Sequence, residues 1–253
     1  MPNRFRTQTS FAWILVFLCG QPVLGFSAPK PKYGPEATPL SLAPEYFQGH
    51  PAPHFWQLIP YYTGQRDGAA CSVASVTLIL NAARAHQKLS ADTPLITQDD
   101  VLKNAKSRAW KNWLTQGGRG VGLDFMAEAI QEAAERLEIP TASIRTVHID
   151  NTLEESRKKL HAALVESETP QGAFLVVNFL QGTLTGDAPV GHYSPVGAYD
   201  AEKKKVLILD PDRSWYEPYW VSEEALLQAM ATWDRTESKF RGFVQIQMRK
   251  QTP

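Results

Sequence analysis

Cysteine is nearly missing from this sequence of 253 residues, which contains only Cys19 and Cys71. Long runs of one charge are missing too, because 26 basic residues balance 26 acidic residues and the formal net charge is zero. This balance excludes a strongly basic surface of the kind that binds nucleic acids or anionic membranes. At this length the chain can still bury a substantial core, and we predict one domain.

A membrane-spanning run is missing as well. Arg4 and Arg6 precede an uncharged stretch, residues 7–28, whose apolar centre covers residues 11–18. A spanning helix needs about 20 apolar residues, so this stretch indicates a signal peptide, residues 1–25, with the cleavage point lying between 25 and 28. We expect export to the periplasm or secretion, with no membrane attachment after cleavage. Cleavage removes Cys19, so the mature chain keeps one thiol and forms no internal disulfide.

The rest of the chain changes character from its beginning to its end. Residues 26–45 carry five prolines and read as an extended leader outside the packed core, so we place the domain at residues 46–253. Helical patterns come first and short apolar strand patterns follow, which indicates an α+β fold with an antiparallel sheet. The predicted helices begin at 71, 97, 123, 152 and 222, and the predicted strands cover 173–180, 192–199, 206–210 and 243–248.

Cys71 is the first candidate for chemistry. It stands at the start of a predicted helix, where unpaired backbone N–H groups and the helix dipole stabilise a thiolate. Gln65 lies six residues earlier in a glycine-rich approach, from which its amide can join the N–H of Cys71 as an oxyanion hole. A thiolate beside such donors is a poised nucleophile.

His192 and Asp210 complete the candidate set. His192 begins one predicted strand and Asp210 ends the next, and the short turn AEKKK predicts a hairpin that brings the two side chains together. A neutral imidazole near a thiol can accept its proton, and a carboxylate can hold the imidazole in orientation. The order Cys, His and a polar orienting residue is that of papain-like enzymes.

The segments GQRDGAACSVAS, GHYSPVGAYD and VLILDPDRSW resemble the catalytic domain of phytochelatin synthases, and the similarity extends over about residues 45–248. The resemblance implies a papain-like fold, with a helical half followed by a sheet half. It also implies that Cys71, His192 and Asp210 form the catalytic triad and that Gln65 completes the oxyanion hole.

The activity implied by the resemblance is glutathione γ-glutamylcysteinyltransfer. Cys71 would cleave the Cys–Gly bond of glutathione and pass the γ-glutamylcysteinyl group to a second glutathione or to water. Glutathione and its complexes with cadmium or zinc are the expected substrates, and no cofactor or protein-bound metal is expected. A homodimer is compatible with the sequence, and direct metal sensing is not predicted because the Cys-rich region of the eukaryotic enzymes does not follow the catalytic domain.

Three positions modify this picture. Ser72 replaces the glycine that usually follows the family's cysteine, a change that the helix start should tolerate. Gln181 stands about where many relatives have an arginine that could pair with a substrate carboxylate. Arg213, just after the Asp210 strand, is therefore our candidate for substrate binding.

Two other functions remain open. The same triad could support a papain-like peptidase that acts on another γ-glutamyl or ordinary peptide, and a non-catalytic metal- or thiol-binding protein is the third hypothesis. The segment GGRGVG follows a helical pattern rather than a strand, which does not fit a phosphate-binding loop. His50 and His54 are read as leader or surface residues, and His86, His148 and His161 as residues without partners at metal-ligand spacing.

Overall fold

A computed structural model of the chain describes residues 30–85, 87, 89–105, 110, 120–150 and 152–249. The predicted signal peptide lies outside the described residues, as do His86 and the first three residues of GGRGVG. No helix within the described ranges is long and apolar enough to cross a membrane. The α-helices of these ranges are α1 Tyr46–Gly49, α2 Pro53–Leu58, α3 Cys71–Arg84, α4 Gln98–Asn104, α5 Leu123–Arg136, α6 Leu153–Ser167, α7 Gln181–Thr185 and α8 Glu223–Met230.

The strands form one large sheet and one small ribbon. The strand bounds are β1 Ala37–Pro39, β2 Thr141–His148, β3 Phe174–Leu180, β4 Gly191–Asp200, β5 Lys205–Ile208, β6 Tyr219–Ser222, β7 Trp233–Asp234, β8 Lys239–Phe240 and β9 Gly242–Met248. Seven of these strands follow the order β1-β6-β5-β4-β3-β9-β2, while β7 and β8 pair separately. Every pairing among them is antiparallel, so the predicted α+β class is confirmed.

Helices cover both faces of the large sheet. On one face α3 and α5 pack on Val176, and on the other face α6 and α8 pack on Leu175 and Val177. Successive residues of a strand point to opposite faces, so a strand covered on both sides needs an unbroken apolar run. This requirement explains why β3 reads FLVVNFL without polar alternation, and it places β3 and β4 in the centre of the fold.

The leader differs from its prediction. Ala37–Pro39 forms the edge strand β1, which pairs with Val221–Tyr219 of β6, and Ala37 is buried. Proline is tolerated there because an edge strand leaves one row of backbone groups unpaired. The proline content favoured an extended chain correctly, but extended backbone is also the geometry of a strand. Packing against the sheet therefore begins before Tyr46.

Three histidines also differ from their predictions. His54 is not at the surface: it is 2% exposed and stacks on Phe174, and burial lowers its pKa to about 4.

His148 and His161 were predicted to have no partners, and both have one. His148 ends strand β2, and its Nε2 lies 3.0 Å from Asp124 Oδ1. His161 Nδ1 lies 3.1 Å from Glu223 Oε2. These contacts join residues far apart in sequence, which local patterns cannot indicate. His50 is exposed, as predicted.

Candidate active site

Cys71 is the first residue of the buried helix α3. No side chain caps this helix, so its first N–H groups remain available to an anion near the Cys71 thiol. The thiol is free and half-buried. The following Ser72 is buried, and its hydroxyl accepts a hydrogen bond from Trp110 Nε1 at 3.1 Å. The helix start therefore accommodates serine where glycine was expected.

His192 and Asp210 are brought together by the predicted hairpin. Strands β4 and β5 pair antiparallel, with Val196 opposite Ile208, and Asp210 follows the end of β5. His192 Nε2 lies 2.7 Å from Asp210 Oδ1, and both side chains are buried. A hydrogen bond of this length between an imidazole and a buried carboxylate fixes the orientation of the ring.

Three groups hold the carboxylate of Asp210 besides His192. The Tyr219 hydroxyl donates to Oδ2 at 2.9 Å, the backbone N–H of Asp212 donates to Oδ1 at 2.9 Å, and the Gln181 amide donates to Oδ2 at 3.4 Å. Burial alone would raise the pKa of Asp210, but His192, the Asp212 N–H and the Tyr219 hydroxyl together lower it. Asp210 is therefore an ionised, fully bonded carboxylate.

His192 also interacts with Cys71. Burial alone would lower the pKa of His192, but Asp210 and the Cys71 sulfur outweigh burial and raise it well above its ordinary value. Because Nε2 faces Asp210, the other ring nitrogen, Nδ1, is the one left to interact with the Cys71 sulfur. Cys71 and His192 are thus neighbours, as a nucleophile and its general base must be.

A cavity of about 780 Å³ opens onto this pair. Its wall includes Gln65, Cys71, His192 and Gln181. This volume lies within the range of small-ligand sites, about 300–1,000 Å³. The cavity therefore brings together the predicted nucleophile, base and oxyanion-hole residue in a space large enough for a short peptide.

Gln65 is attached to the segment that carries Asp210. Its backbone N–H donates to the carbonyl oxygen of Pro211 at 2.7 Å. Its side-chain Oε1 is buried and has no hydrogen-bond partner in the described part of the chain. This hydrogen bond thus joins the loop before α3 to the segment that follows β5, next to the cavity.

Arg213 lies apart from this cavity. Its guanidinium stacks over the Tyr62 ring, 4.9 Å from the centroid, and donates to the Tyr216 carbonyl oxygen at 2.9 Å. It is not among the residues that line the cavity, whereas the uncharged Gln181 is. The structure brings four of the five predicted site residues together and leaves Arg213 outside.

A different arginine, Arg241, was not singled out from the sequence. It is buried in the cavity wall and donates to Asp234 Oδ2 at 2.8 Å and to Asn178 Oδ1 at 2.9 Å. Its Nε is buried and finds no partner within the described ranges. Gly191 makes room for it, because a Cβ at that position would lie 2.5 Å from the guanidinium. The glycine directly before His192 was the available signal in the sequence.

Comparison with known proteins agrees with the predicted resemblance. A family model described as phytochelatin synthase matches residues 42–243. The chain is 27% identical to glutathione gamma-glutamylcysteinyltransferase 1 of Triticum aestivum over 212 residues, which cover 84% of this chain and 39% of that protein. It is 28% identical to glutathione gamma-glutamylcysteinyltransferase 3 of Lotus japonicus over 215 residues, which cover 79% of this chain and 38% of that protein.

A yeast relative extends the comparison. The glutathione gamma-glutamylcysteinyltransferase of Schizosaccharomyces pombe is 31% identical over 100 residues, or 39% of this chain and 22% of that protein. The chain thus spans about two fifths of the length of the plant relatives. The family match contains Cys71, His192 and Asp210 and covers well over half of the sequence. The chain belongs to the phytochelatin synthase family.

Proposed function

We propose that this protein is a papain-like cysteine acyltransferase and hydrolase that acts on glutathione. The observation that carries the proposal is the Cys71–His192–Asp210 arrangement, which opens onto a cavity with both a carboxylate and a guanidinium in its wall. The names of the plant and yeast relatives supply the reaction. The α+β order of elements is compatible with the proposed papain-like fold.

The first half of the reaction forms a thioester. The Cys71 thiolate attacks the cysteinyl carbonyl carbon of the Cys–Gly bond, and the oxygen becomes an oxyanion that the Cys71 N–H and the Gln65 amide can receive. The His192 imidazolium then gives its Nδ1 proton to the glycine nitrogen, the C–N bond breaks, and glycine leaves. The γ-glutamylcysteinyl group remains on the Cys71 sulfur.

The second half returns the enzyme to its starting state. The α-amine of a second glutathione, or water, attacks the thioester while neutral His192 accepts the proton of the attacking group. The C–S bond breaks, and the products are a longer γ-Glu-Cys oligomer or free γ-glutamylcysteine. Asp210 holds the same edge of the imidazole in both halves, so that Nδ1 faces the sulfur throughout.

Substrate recognition is proposed for Arg241 and Asp234. The γ-glutamyl end of glutathione carries one α-carboxylate and one α-ammonium group, and the cavity wall carries the opposite charges next to each other. The Arg241 guanidinium lies in the cavity wall, where a substrate carboxylate can pair with it. Cadmium or zinc can enter as a glutathione thiolate complex, in which case the metal belongs to the substrate.

The proposed function is tested with glutathione, with and without cadmium, by mass spectrometry of the products. We expect glycine and γ-glutamylcysteine, or longer oligomers, from the wild-type chain and none from Cys71→Ser, which keeps the size of the side chain but loses the thiolate. Cleavage of other peptides with inert glutathione would contradict the proposed substrate and favour the peptidase. Export, which we also propose, predicts that residues 1–25 are removed and that the protein is recovered outside the cytoplasm.

A further inference from the structure

A second group of polar side chains lies behind the cavity wall. Asp124 is in the first turn of α5, His148 ends β2, and Glu237 lies in the turn between β7 and β8. Each offers one ligand atom, and these three atoms all lie within 4.8 Å of one another. The ligands of a tetrahedral zinc ion are about 3.3 Å apart for bonds of about 2.0–2.1 Å, so small side-chain rotations suffice to close the site.

Two contacts fix the orientation of His148. Its Nδ1 lies 2.6 Å from the Phe240 carbonyl oxygen, so Nδ1 donates a hydrogen bond to that oxygen. The second ring nitrogen, Nε2, faces Asp124 Oδ1 at 3.0 Å. Nε2 and the Asp124 carboxylate are therefore directed at the same point, which either a proton or a metal ion can occupy. Metal-bound histidines characteristically donate their second ring nitrogen to a carbonyl oxygen in this way.

Glu237 is held in place by the start of α5. Its carboxylate accepts hydrogen bonds from the N–H groups of Leu123 at 2.7 Å and Asp124 at 3.2 Å. Its side chain also packs on Gly122, where an added Cβ would lie 2.5 Å from Oε2. A carboxylate oxygen retains further lone-pair sites when it accepts one N–H, so this anchoring orients Glu237 and leaves it able to bind a cation.

Lys239 occupies the cation position at Asp124 in this structure. Its ammonium contacts Asp124 Oδ2, and the Lys239 side chain is 50% exposed. Such a flexible, half-exposed ammonium can move into water when a divalent ion takes its place. Lys239 and a bound metal ion are therefore expected to compete for Asp124.

We propose that Asp124, His148 and Glu237 form a binding site for a divalent transition-metal ion of the zinc type. One imidazole nitrogen and two carboxylate oxygens suit zinc, with water as the fourth ligand. The site is separate from Cys71 and does not depend on the proposed catalytic function. It joins the two segments that carry Val121 and Thr236 of the cavity wall, so a bound ion would stiffen that wall.

Zinc binding is measured in a Cys71→Ser background, which removes the catalytic thiol as an alternative ligand. We expect one zinc ion per chain by competition with a chromogenic chelator, and at least about tenfold weaker binding in His148→Ala and in Asp124→Asn. Lys239→Met should bind zinc more tightly because the competing ammonium is gone. His161→Ala is the matched control, since His161 also lies near a carboxylate, 3.1 Å from Glu223, and it should bind zinc as the parent does.

A second measurement separates binding from folding. Circular dichroism without zinc shows whether each variant is folded, and Asp124→Asn replaces His148→Ala if the latter is not. Zinc should slow amide hydrogen exchange in residues 120–124 and 234–240 of the parent but not of Asp124→Asn. The proposal is overturned if the parent binds no zinc, or if His148→Ala and Asp124→Asn both bind it as the parent does.

Discussion

At the scale of single residues, the prediction from the sequence and the structure differ on which arginine lines the cavity. Arg241 lines the cavity beside Asp234, whereas Arg213 stacks on Tyr62 outside it. We expect Arg241→Gln to raise the KM for glutathione about tenfold to hundredfold, because a lost hydrogen bond to a charged group costs about 1.5–3 kcal/mol. Arg213→Gln, the matched control, should change KM little.

The substrate itself can be altered to check that reading. Glutathione with an amidated γ-glutamyl α-carboxylate should have a higher KM than glutathione in the wild-type protein. In Arg241→Gln, the amidated and the ordinary substrate should have similar KM values. Equal losses in both enzymes would show that Arg241 does not bind this carboxylate. Thermal unfolding of Arg241→Gln accompanies the kinetics, because the change also leaves Asp234 buried without its cation.

Tyr219 is a positioning residue for Asp210. Its hydroxyl donates to Asp210 Oδ2, and this bond is one of those that lower the pKa of Asp210. Tyr219→Phe should therefore raise that pKa, so that the acid limb of the kcat/KM profile moves to higher pH. A fall in kcat/KM with an unmoved acid limb would indicate a packing effect instead. Tyr199→Phe is the control, because the Tyr199 hydroxyl bonds Glu223 and not Asp210.

At the scale of elements, Gly191 shows how strand β4 is fitted to its neighbours. A Cβ there would lie 2.5 Å from Arg241 Nη1, so Gly191→Ala must displace the guanidinium. We expect KM for glutathione to rise in this variant while the fold, measured by circular dichroism, is retained. Gly49→Ala provides the comparison, since nothing lies within 4 Å of its added Cβ. An unchanged KM in Gly191→Ala would contradict the role of Arg241.

The strands and helix starts also show which sequence patterns were sufficient to predict an element. The four predicted strands exist because their largely buried side chains fill a sheet that is covered on both faces. Strand β2, TASIRTVH, was missed because only one neighbour, β9, pairs with it and polar residues interrupt its run. Helix α4 begins with a capping box at Thr97, whereas the Thr152 side chain does not cap α6 and bonds Asp150, because a nearby carboxylate competes for the same hydroxyl.

The site residues also divide into those that local sequence patterns indicated and those that depend on contacts between distant segments. Cys71, His192 and Asp210 were found because their residue types, order and local turns carry the information, and a short hairpin joins the last two. Arg241 and Asp234 depend on how β7, β8 and β9 fold against β4, which no local pattern encodes. The sequence thus indicated the residues that we propose for the reaction but not those that we propose for substrate recognition.

The stability of the whole molecule should depend on His54. Its folded pKa is about 4, against about 6.5 in the unfolded chain, so the unfolded state binds more protons between these values. The contribution of His54 to the free energy of unfolding is therefore fully present above about pH 6.5. It falls by about 3 kcal/mol in total as the pH decreases toward 4.

Urea unfolding of wild-type and variant chains between pH 4 and 7 measures this loss. His54→Gln should flatten the pH dependence, since the titrating group is gone. His50→Gln, which changes an exposed histidine four residues earlier, should keep the wild-type slope. Parallel slopes in all three proteins would contradict the buried, neutral state of His54.

The strand order of the sheet has a consequence for folding during synthesis. Strand β9 is last in sequence among the described strands, yet it lies inside the sheet between β3 and β2, and Ala37 pairs with Val221 across most of the chain. Pairings of such long range are slow to form and must await synthesis of both partners. On the ribosome, the cavity around Cys71 therefore stays incomplete until Arg241 and strand β9 have been synthesised.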